Sequence, residues 1–470
     1  MSLALTTFLQ SRRAVLQTAL TKLKSLAAAD AAAPTAAAPT PAADGITRES
    51  SPILHVIMGN EASDLDSMAC SIALAFALNN QQASNSQANQ TAGPAAIPVH
   101  PVVPVPSVSI IPLMNIPRAE FPLRTEATFM FHRLKLDTSS LLFLDDLDLS
   151  DLVDTLVGKA GPPSTSALAS LRVTLVDHNR LAANQRALEP FVTQIIDHHV
   201  DDAMCARASG VNRVIEMAGS CATLIARLLL DAQPQRSASE VLPEPIAELL
   251  YGTILLDTVN CDSTKGRTTE ADVALVERLA RLVPTPRPEL FSLLNDAKFS
   301  QASLTLDELL RKDYKEDLAS PVPFGISSVG LSLFEMATRR CERETLVAAP
   351  ETPIVLQAVH AFMARKNIAL LVIMTSFYVG EKFCRQLAVI DRAQPARARQ
   401  LAIDCAGDGK ANLQLREIVP VDCSAATESF AEGDHQRLGL PVPFASFAQE
   451  NTAASRKVVL PLVQLLLSRQ

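Results

Sequence analysis

The chain has 470 residues, 48% of them hydrophobic, with a formal net charge of −8 and eight cysteines. That length allows two domains of ordinary size. The negative balance argues against general nucleic-acid or membrane-surface binding, though not against a basic pocket for an anionic substrate. The cysteines are scattered with no C-x-x-C pair, so they read as reduced thiols of a cytoplasmic protein rather than a disulfide or zinc framework.

The opening stretch, residues 1–30, carries four basic residues and no acid before Asp30. It predicts an amphipathic helix that turns Leu3, Phe8, Leu9, Val15, Leu16 and Leu20 to a core; a mitochondrial presequence is the alternative. No apolar run reaches the roughly 20 residues of a membrane span. Three stretches read as low-complexity insertions: an Ala/Pro/Thr linker near 27–44, a polar, proline-broken excursion near 79–109, and a loop near 231–245. Between them, "ILHVIM", "SLLFLDD", "RVTLVDHN" and "VTQIIDHH" are short strand-like runs with acidic or polar ends. Helical patterns at 65–78 and 219–231 alternate with them. The expected fold is α/β: a mostly parallel sheet domain over 1–285, then a smaller α/β domain over 286–470 with its own sheet. In parallel sheets, ligands bind beyond the carboxyl ends of the strands, where the acids and histidines should converge.

Four clusters punctuate the first domain: Asp64 and Asp66, Asp177-His178, Asp197-His198-His199, and Asp257. Hard divalent cations favour carboxylate oxygens, and manganese also accepts imidazole. Residues i and i+2 at a strand end project to one side, so Asp64 and Asp66 can serve two adjacent metals. A D-x-D alone is more often a cap or a solvated turn; the four clusters together are far more specific. Ser220 marks a helix start that either caps the helix or receives a phosphate on its backbone amides.

"GNEASDLDS", "LVDHN", "IIDHH" and "LYGTILLDTVN" resemble the four motifs of the DHH phosphoesterase superfamily, in its exopolyphosphatase and prune-like branch. "NIPRAEFPLRTE" and "LLRKDYKE" look like the same branch, and "SRK" at 455–457 resembles a phosphate-binding motif of family II inorganic pyrophosphatases. The resemblance implies an active site in the interdomain cleft and two divalent ions, manganese or magnesium, with cobalt as a further candidate. Asp64 would bind one metal and Asp66 the other, Asp177 would bridge them, and His198 and Asp257 would complete the second site. His199 would contact substrate phosphate or position the attacking water, while Asp197 orients an imidazole and His178 acts from behind the ligands. Asn60 stands where the pyrophosphatases carry a histidine ligand. That departure weakens the first metal site and moves the substrate away from simple pyrophosphate. Lys315, Arg456 and Lys457, with Arg118 and Arg124 from the first domain, would neutralise phosphate charge.

The expected activity is an exopolyphosphatase that releases orthophosphate through a metal-activated water. The alternatives are a phosphoesterase acting on cyclic nucleotides or nucleoside polyphosphates, and a non-catalytic scaffold. With no Trp and three Tyr, stacking on a base is poorly served. A G-G-G-H-type motif, carried by oligonucleotide-cleaving relatives, is absent from the sequence. The oligomeric state is not readable from it.

Overall fold

Runs of branched and aliphatic residues in the first half form six strands: β1 (Ile53–Met58), β2 (Val108–Met114), β3 (Leu142–Phe143), β4 (Leu171–Val176), β5 (Val192–Asp197) and β6 (Asn212–Ile215). They pair in the order β3-β2-β1-β4-β5-β6, all parallel. The computed structural model describes residues 2–32, 53–91, 108–157, 165–204, 210–339, 353–407, 412–420, 434–441 and 444–469. It divides into two units, Met1–Phe299 and Ser300–Gln470.

The helices of the first unit are α1 (Ser2–Ala32), α2 (Leu65–Thr91), α3 (Thr125–Arg133), α4 (Leu149–Val157), α5 (Thr165–Ser170), α6 (Cys221–Asp231), α7 (Ala238–Val241), α8 (Glu244–Asp257), α9 (Glu270–Leu279) and α10 (Arg287–Phe299). Both faces of the sheet are covered, which is why its strands read as continuous apolar runs rather than alternating ones. Along β1, Leu54, Val56 and Met58 enter the core beneath α1 and α4, while Ile57 enters the core beneath α2, α6 and α8. β4 divides Leu171, Val173 and Leu175 from Val176 in the same way. Chain order reverses between β1 and β4, so their carboxyl ends frame the crevice in which such sheets bind ligands.

The second unit contains α11 (Leu306–Lys312), β7 (Tyr314–Asp317), β8 (Phe324–Val329), α12 (Leu333–Thr338), α13 (Ile354–Arg365), β9 (Leu370–Thr375), β10 (Phe377–Val379), β11 (Lys382–Cys384), β12 (Gln386–Asp391), α14 (Pro395–Gly407), β13 (Leu415–Glu417), β14 (Val419–Pro420), α15 (Asp434–Arg437), β15 (Leu438–Gly439), β16 (Ala445–Gln449) and α16 (Arg456–Leu467). Its main sheet runs β13-β16-β12-β9-β8-β7. Only the β8–β9 pairing in it is parallel. α14 and α16 cover one face through Leu401, Ala402, Val459 and Val463.

Several local expectations change. The division of units lies beyond residue 285, because α10 buries Leu290 and Leu294 in the first unit's core. Residues 79–91 continue α2 as helix, and Arg12 donates to Asn79 Oδ1 at 3.1 Å; residues 92–107 lie outside the described residues. Of the 27–44 linker, 27–32 extend α1 and the rest lies outside. The 231–245 loop contains α7, started by a reciprocal Ser237–Glu240 cap. On α1, Phe8, Leu9 and Leu16 are buried and Val15 and Leu20 pack against the core, but Leu3 is exposed because the apolar stripe begins at Leu5. The closing segment is the helix α16, and Lys315 sits on strand β7 rather than on a helix face. Among the described residues no helix is long and apolar enough to cross a membrane.

Gly59, directly after β1, is required by close approach. A Cβ there would lie 2.4 Å from Ser67 Cβ and 2.6 Å from its Oγ. Gly59→Ala should lower stability by about 1–3 kcal/mol, as other overpacked sites do. A denaturant midpoint equal to that of the parent would show that the turn has room to spare.

Candidate active site

The strand ends deliver the acids. Asp177 follows β4 and is held at a left-handed φ of 60°, unusual outside glycine. Its Oδ2 accepts from Ser67 Oγ at 2.7 Å and Asn60 Nδ2 at 2.9 Å. Its Oδ1 faces His198 Nε2 at 3.2 Å and His199 Nδ1 at 3.8 Å. Asp177 is thus fixed from β1, α2 and β5 together.

Asp64 and Asp66 do not sit at a strand end as expected. Asp64 precedes α2 and accepts from Ser67 N at 3.2 Å, whereas Asp66 lies in the first turn of α2 and is 3% exposed. Asp66 reaches across to the N-terminus of α6, accepting from Cys221 N at 2.6 Å and Ala222 N at 2.8 Å. The anion at that helix start is therefore a side chain of the protein rather than a phosphate, and Ser220 also caps the same turn. Asp257 ends α8 rather than a strand. Three left-handed residues, Val259, Asn260 and Cys261, follow it, and Arg287 clamps them by donating to Asn260 Oδ1 at 2.8 Å.

Asp257 Oδ2 is buried with no hydrogen-bond partner. Loss of hydration and the charges of Asp66, Asp64 and Asp177 drive its carboxyl far above the ordinary range. The same two causes, burial and then Asp177, raise Asp66 to about 7. Asp64 is also raised, by lost hydration in the crowded loop and by Asp177, although much of its surface stays exposed. Burial opposes charging His198, but its bond to Asp177 and the charge of Asp66 bring it to about 10. His198 is the counter-charge beside Asp66 and Asp177, while Lys298 offsets Asp64.

The second histidine is aimed by Asp197. That carboxylate is fully buried and accepts from His199 Nδ1 at 2.8 Å, His198 N at 2.8 Å and Asn179 Nδ2 at 2.5 Å. Burial works against its charge, yet these bonds, the one from His199 foremost, hold it below the usual carboxylate range. Asp197 occupies Nδ1 and leaves His199 Nε2 as its outward nitrogen. His198 donates Nδ1–H to the carbonyl of Ala218 at 2.9 Å, which directs Nε2 at the acids. The Ala218 loop is pinned by buried Asp272, which accepts from Gly219 N at 2.8 Å and Thr223 Oγ1 at 2.6 Å.

The donor set suits divalent cations: four carboxylates, one with an orphaned oxygen, and an imidazole whose second nitrogen is already fixed. Ligand atoms of Asp177, His198 and His199 all lie within 4.8 Å of one another. Asn60 is not available as a ligand. Its amide nitrogen is bonded to Asp177, and its oxygen accepts from Ala62 N at 2.9 Å and Ser63 N at 3.1 Å. His178 donates Nδ1–H to Val176 O at 2.9 Å. A cavity of about 550 Å³ adjoins the cluster, with Asn60, Asn115, Asp177, His178 and His199 in its walls.

Residues 55–254 match the N-terminal domain of the DHH family, and residues 292–466 match the DHHA2 domain. Over 424 residues the chain is 32% identical to exopolyphosphatase PRUNE1 of Homo sapiens, spanning 90% of this chain and 77% of that protein. The chain belongs to the DHH family. It is 31% identical over 429 residues to the Mus musculus exopolyphosphatase PRUNE1, covering 90% and 77% of the two chains. An exopolyphosphatase-related protein from Bacteroides fragilis aligns at 12% identity over 88% of this chain and 93% of that one, with a TM-score of 0.35.

Within this DHH-family chain the expected basic residues meet different fates. Arg118 is occupied structurally: it donates to Leu141 O at 2.7 Å, pairs with Asp146 at 2.9 Å and lies over the Phe143 ring. It leaves the set of substrate contacts. Arg124 donates to Ala62 O at 2.6 and 2.9 Å, so it holds the loop that carries Asp64. Arg456 pairs with Asp313 at 2.6 Å, two residues before the exposed Lys315; Lys457 is exposed beside it. Sequence reasoning missed Ser67, Asn115, Asn179 and Asp272. Ser67 and Asn179 flank the acidic motifs and could have been found there. Asn115 and Asp272 reach the site through contacts distant in sequence, and the local signal of Asp272 is only that of a helix cap with Thr269.

The Asp66 shift sets a pH test. Its folded-state value of about 7 lies above the ordinary aspartate value of about 3.9. Between those values the folded chain holds a proton that the unfolded chain has released, so this group lowers stability as pH rises. Chelator-treated protein should therefore lose stability from Asp66 between about pH 4 and 7, and Asp66→Asn should flatten that slope in urea titrations. An unchanged slope would remove Asp66 from the coupled cluster.

Proposed function

We propose that this chain is a metal-dependent exopolyphosphatase, removing orthophosphate from the end of inorganic polyphosphate by attack of water on the terminal phosphorus. The observation that carries this reading is the gathering of Asp64, Asp66, Asp177 and Asp257, whose Oδ2 is unpartnered, with His198 Nε2 3.2 Å from Asp177 and 3.7 Å from Asp66. It stands in a DHH-family chain related to exopolyphosphatases over 90% of its length. Asp64, Asp66, Asp177, His198 and Asp257 would hold two divalent ions. Oxygen and imidazole donors suit manganese or magnesium. Such ions, when bound, supply Lewis acidity and a nucleophilic water at neutral pH.

The chain's own groups do the rest. Ser67 and Asn60 hold Asp177 Oδ2 in place. Asp197 takes the Nδ1–H of His199 and favours its protonated form, so the outward Nε2 accepts from the attacking water when the ring is neutral and donates to a phosphate oxygen when it is charged. In the second unit, Lys315, Arg456 and Lys457 are the proposed contacts that neutralise phosphate charge. The scattered cysteines, free at all five described positions, support a reducing compartment such as the cytoplasm.

The test is phosphate release from pyrophosphate, tripolyphosphate and long-chain polyphosphate, and nucleotide product from cyclic AMP, with magnesium, manganese or cobalt, using Asp177→Asn as control. Polyphosphates should turn over, and the variant should lose at least about a hundredfold while keeping its circular-dichroism spectrum, because a neutral amide cannot hold the cation pair. Opening of cyclic AMP without polyphosphate cleavage would move the protein to a phosphodiesterase. Retained metal binding with no turnover would leave a binding scaffold.

A further inference from the structure

We infer that the cavity beside the catalytic cluster is a track for the phosphates behind the one being removed, with Arg180 and Arg186 as its contacts. This rests on the exopolyphosphatase reading and adds a chain-length determinant in the first unit. The cavity, about 550 Å³, begins at Asp177 and His199 and follows the turn after β4 into the 3-10 stretch Ala183–Phe191. That volume is in the range of a whole small-molecule site and exceeds what one phosphate fills.

Both arginines line this cavity and are exposed, and neither forms an ion pair among the described residues. Elsewhere in the unit, Arg118, Arg133 and Arg213 are tied to carboxylates. Guanidinium donors left open on a cavity wall match phosphate oxygens in fork geometry. The floor is already satisfied: Gln185 donates to Asn115 Oδ1 at 2.6 Å, and Asn115 donates to Gly59 O at 2.9 Å. His178 also stands in the lining, its Nδ1 committed to Val176 O and its Nε2 closed off from solvent, so the arginines are the donors left open to a phosphate.

Glu61 and Asp202 share the rim, so the long-range field is weak and the arginines act by direct contact. The lining contains no Phe, Tyr or Trp, which disfavours a nucleobase that would need a stacking platform.

The experiment compares the wild type with Arg180→Ala/Arg186→Ala and Arg180→Lys/Arg186→Lys. It measures kcat/KM and calorimetric Kd for pyrophosphate and tripolyphosphate, and kcat/KM for adenosine tetraphosphate. The alanine pair should lower the tripolyphosphate-to-pyrophosphate ratio, in turnover and in binding, by about tenfold, the scale of removing one charge-assisted hydrogen bond. The lysine pair should restore part of it. Equal losses on both substrates, or no loss, would overturn the track. A selective loss on adenosine tetraphosphate alone would overturn it in favour of an organic leaving group. If the wild type turns over no polyphosphate yet binding still discriminates chain length through these arginines, the track stands and the exopolyphosphatase reading falls.

Discussion

The first unit is organised around a repulsion. Four carboxylates, from the loop before α2, the first turn of α2, the turn after β4 and the end of α8, are brought together, and the protein answers them with His198 beside Asp66 and Asp177, His199 beside Asp177 and the charge of Lys298 acting on Asp64. Charges of like sign gathered away from water raise one another's pKa and cost stability. A fold keeps such a cluster only where the surrounding structure over-determines it. The supporting contacts here are numerous: Ser67 and Asn60 on Asp177, two α6 amides on Asp66, Arg124 on the Asp64 loop, and Arg287 on the strained turn after Asp257. The cluster makes physical sense as a seat for divalent cations.

A second layer of the same design fixes the histidines. Asp197 takes no part in the repulsion; it is held ionised by His199 and Asn179 and so acts as an orienting acceptor. His198 takes its orientation from the Ala218 carbonyl, and that loop depends on Asp272, a residue of α9. Gly219 belongs to this chain of supports: a Cβ there would stand 2.3 Å from Arg267 O and 2.8 Å from Asp272 Oδ2. The route from α9 through a glycine amide and a carbonyl to an imidazole is how a helix packed on the outside of the fold sets a ring nitrogen in the site.

Much of this is legible in the sequence because it is local. Apolar runs with polar or acidic ends mark strands β1, β4 and β5, and the order of the motifs implies a parallel sheet with its site at the strand ends. Asp257 reads as one of those ends, but its apolar run is α8; a fully buried helix and a buried strand look alike over a short stretch. The spacing of Asp64 and Asp66 suggests a strand terminus, whereas Asp66 belongs to a helix start whose cap role runs to α6. The basic residues are least legible. Arg118 looks like a phosphate contact in sequence, yet its carbonyl and carboxylate partners, 20 to 28 residues away, occupy it. Arg180 and Arg186 carry no motif signal, since what sets them apart is the cavity they face.

The most direct measurement of the central claim is the thermal stability of Asp257→Asn against the parent, with chelator and with saturating manganese. Replacing a carboxyl whose ionisation the fold suppresses should make the metal-free variant more stable than the parent at neutral pH, while the stabilisation by manganese, set by mass action, should shrink or vanish. A variant that is less stable without metal and keeps the parent's full manganese shift would contradict the account.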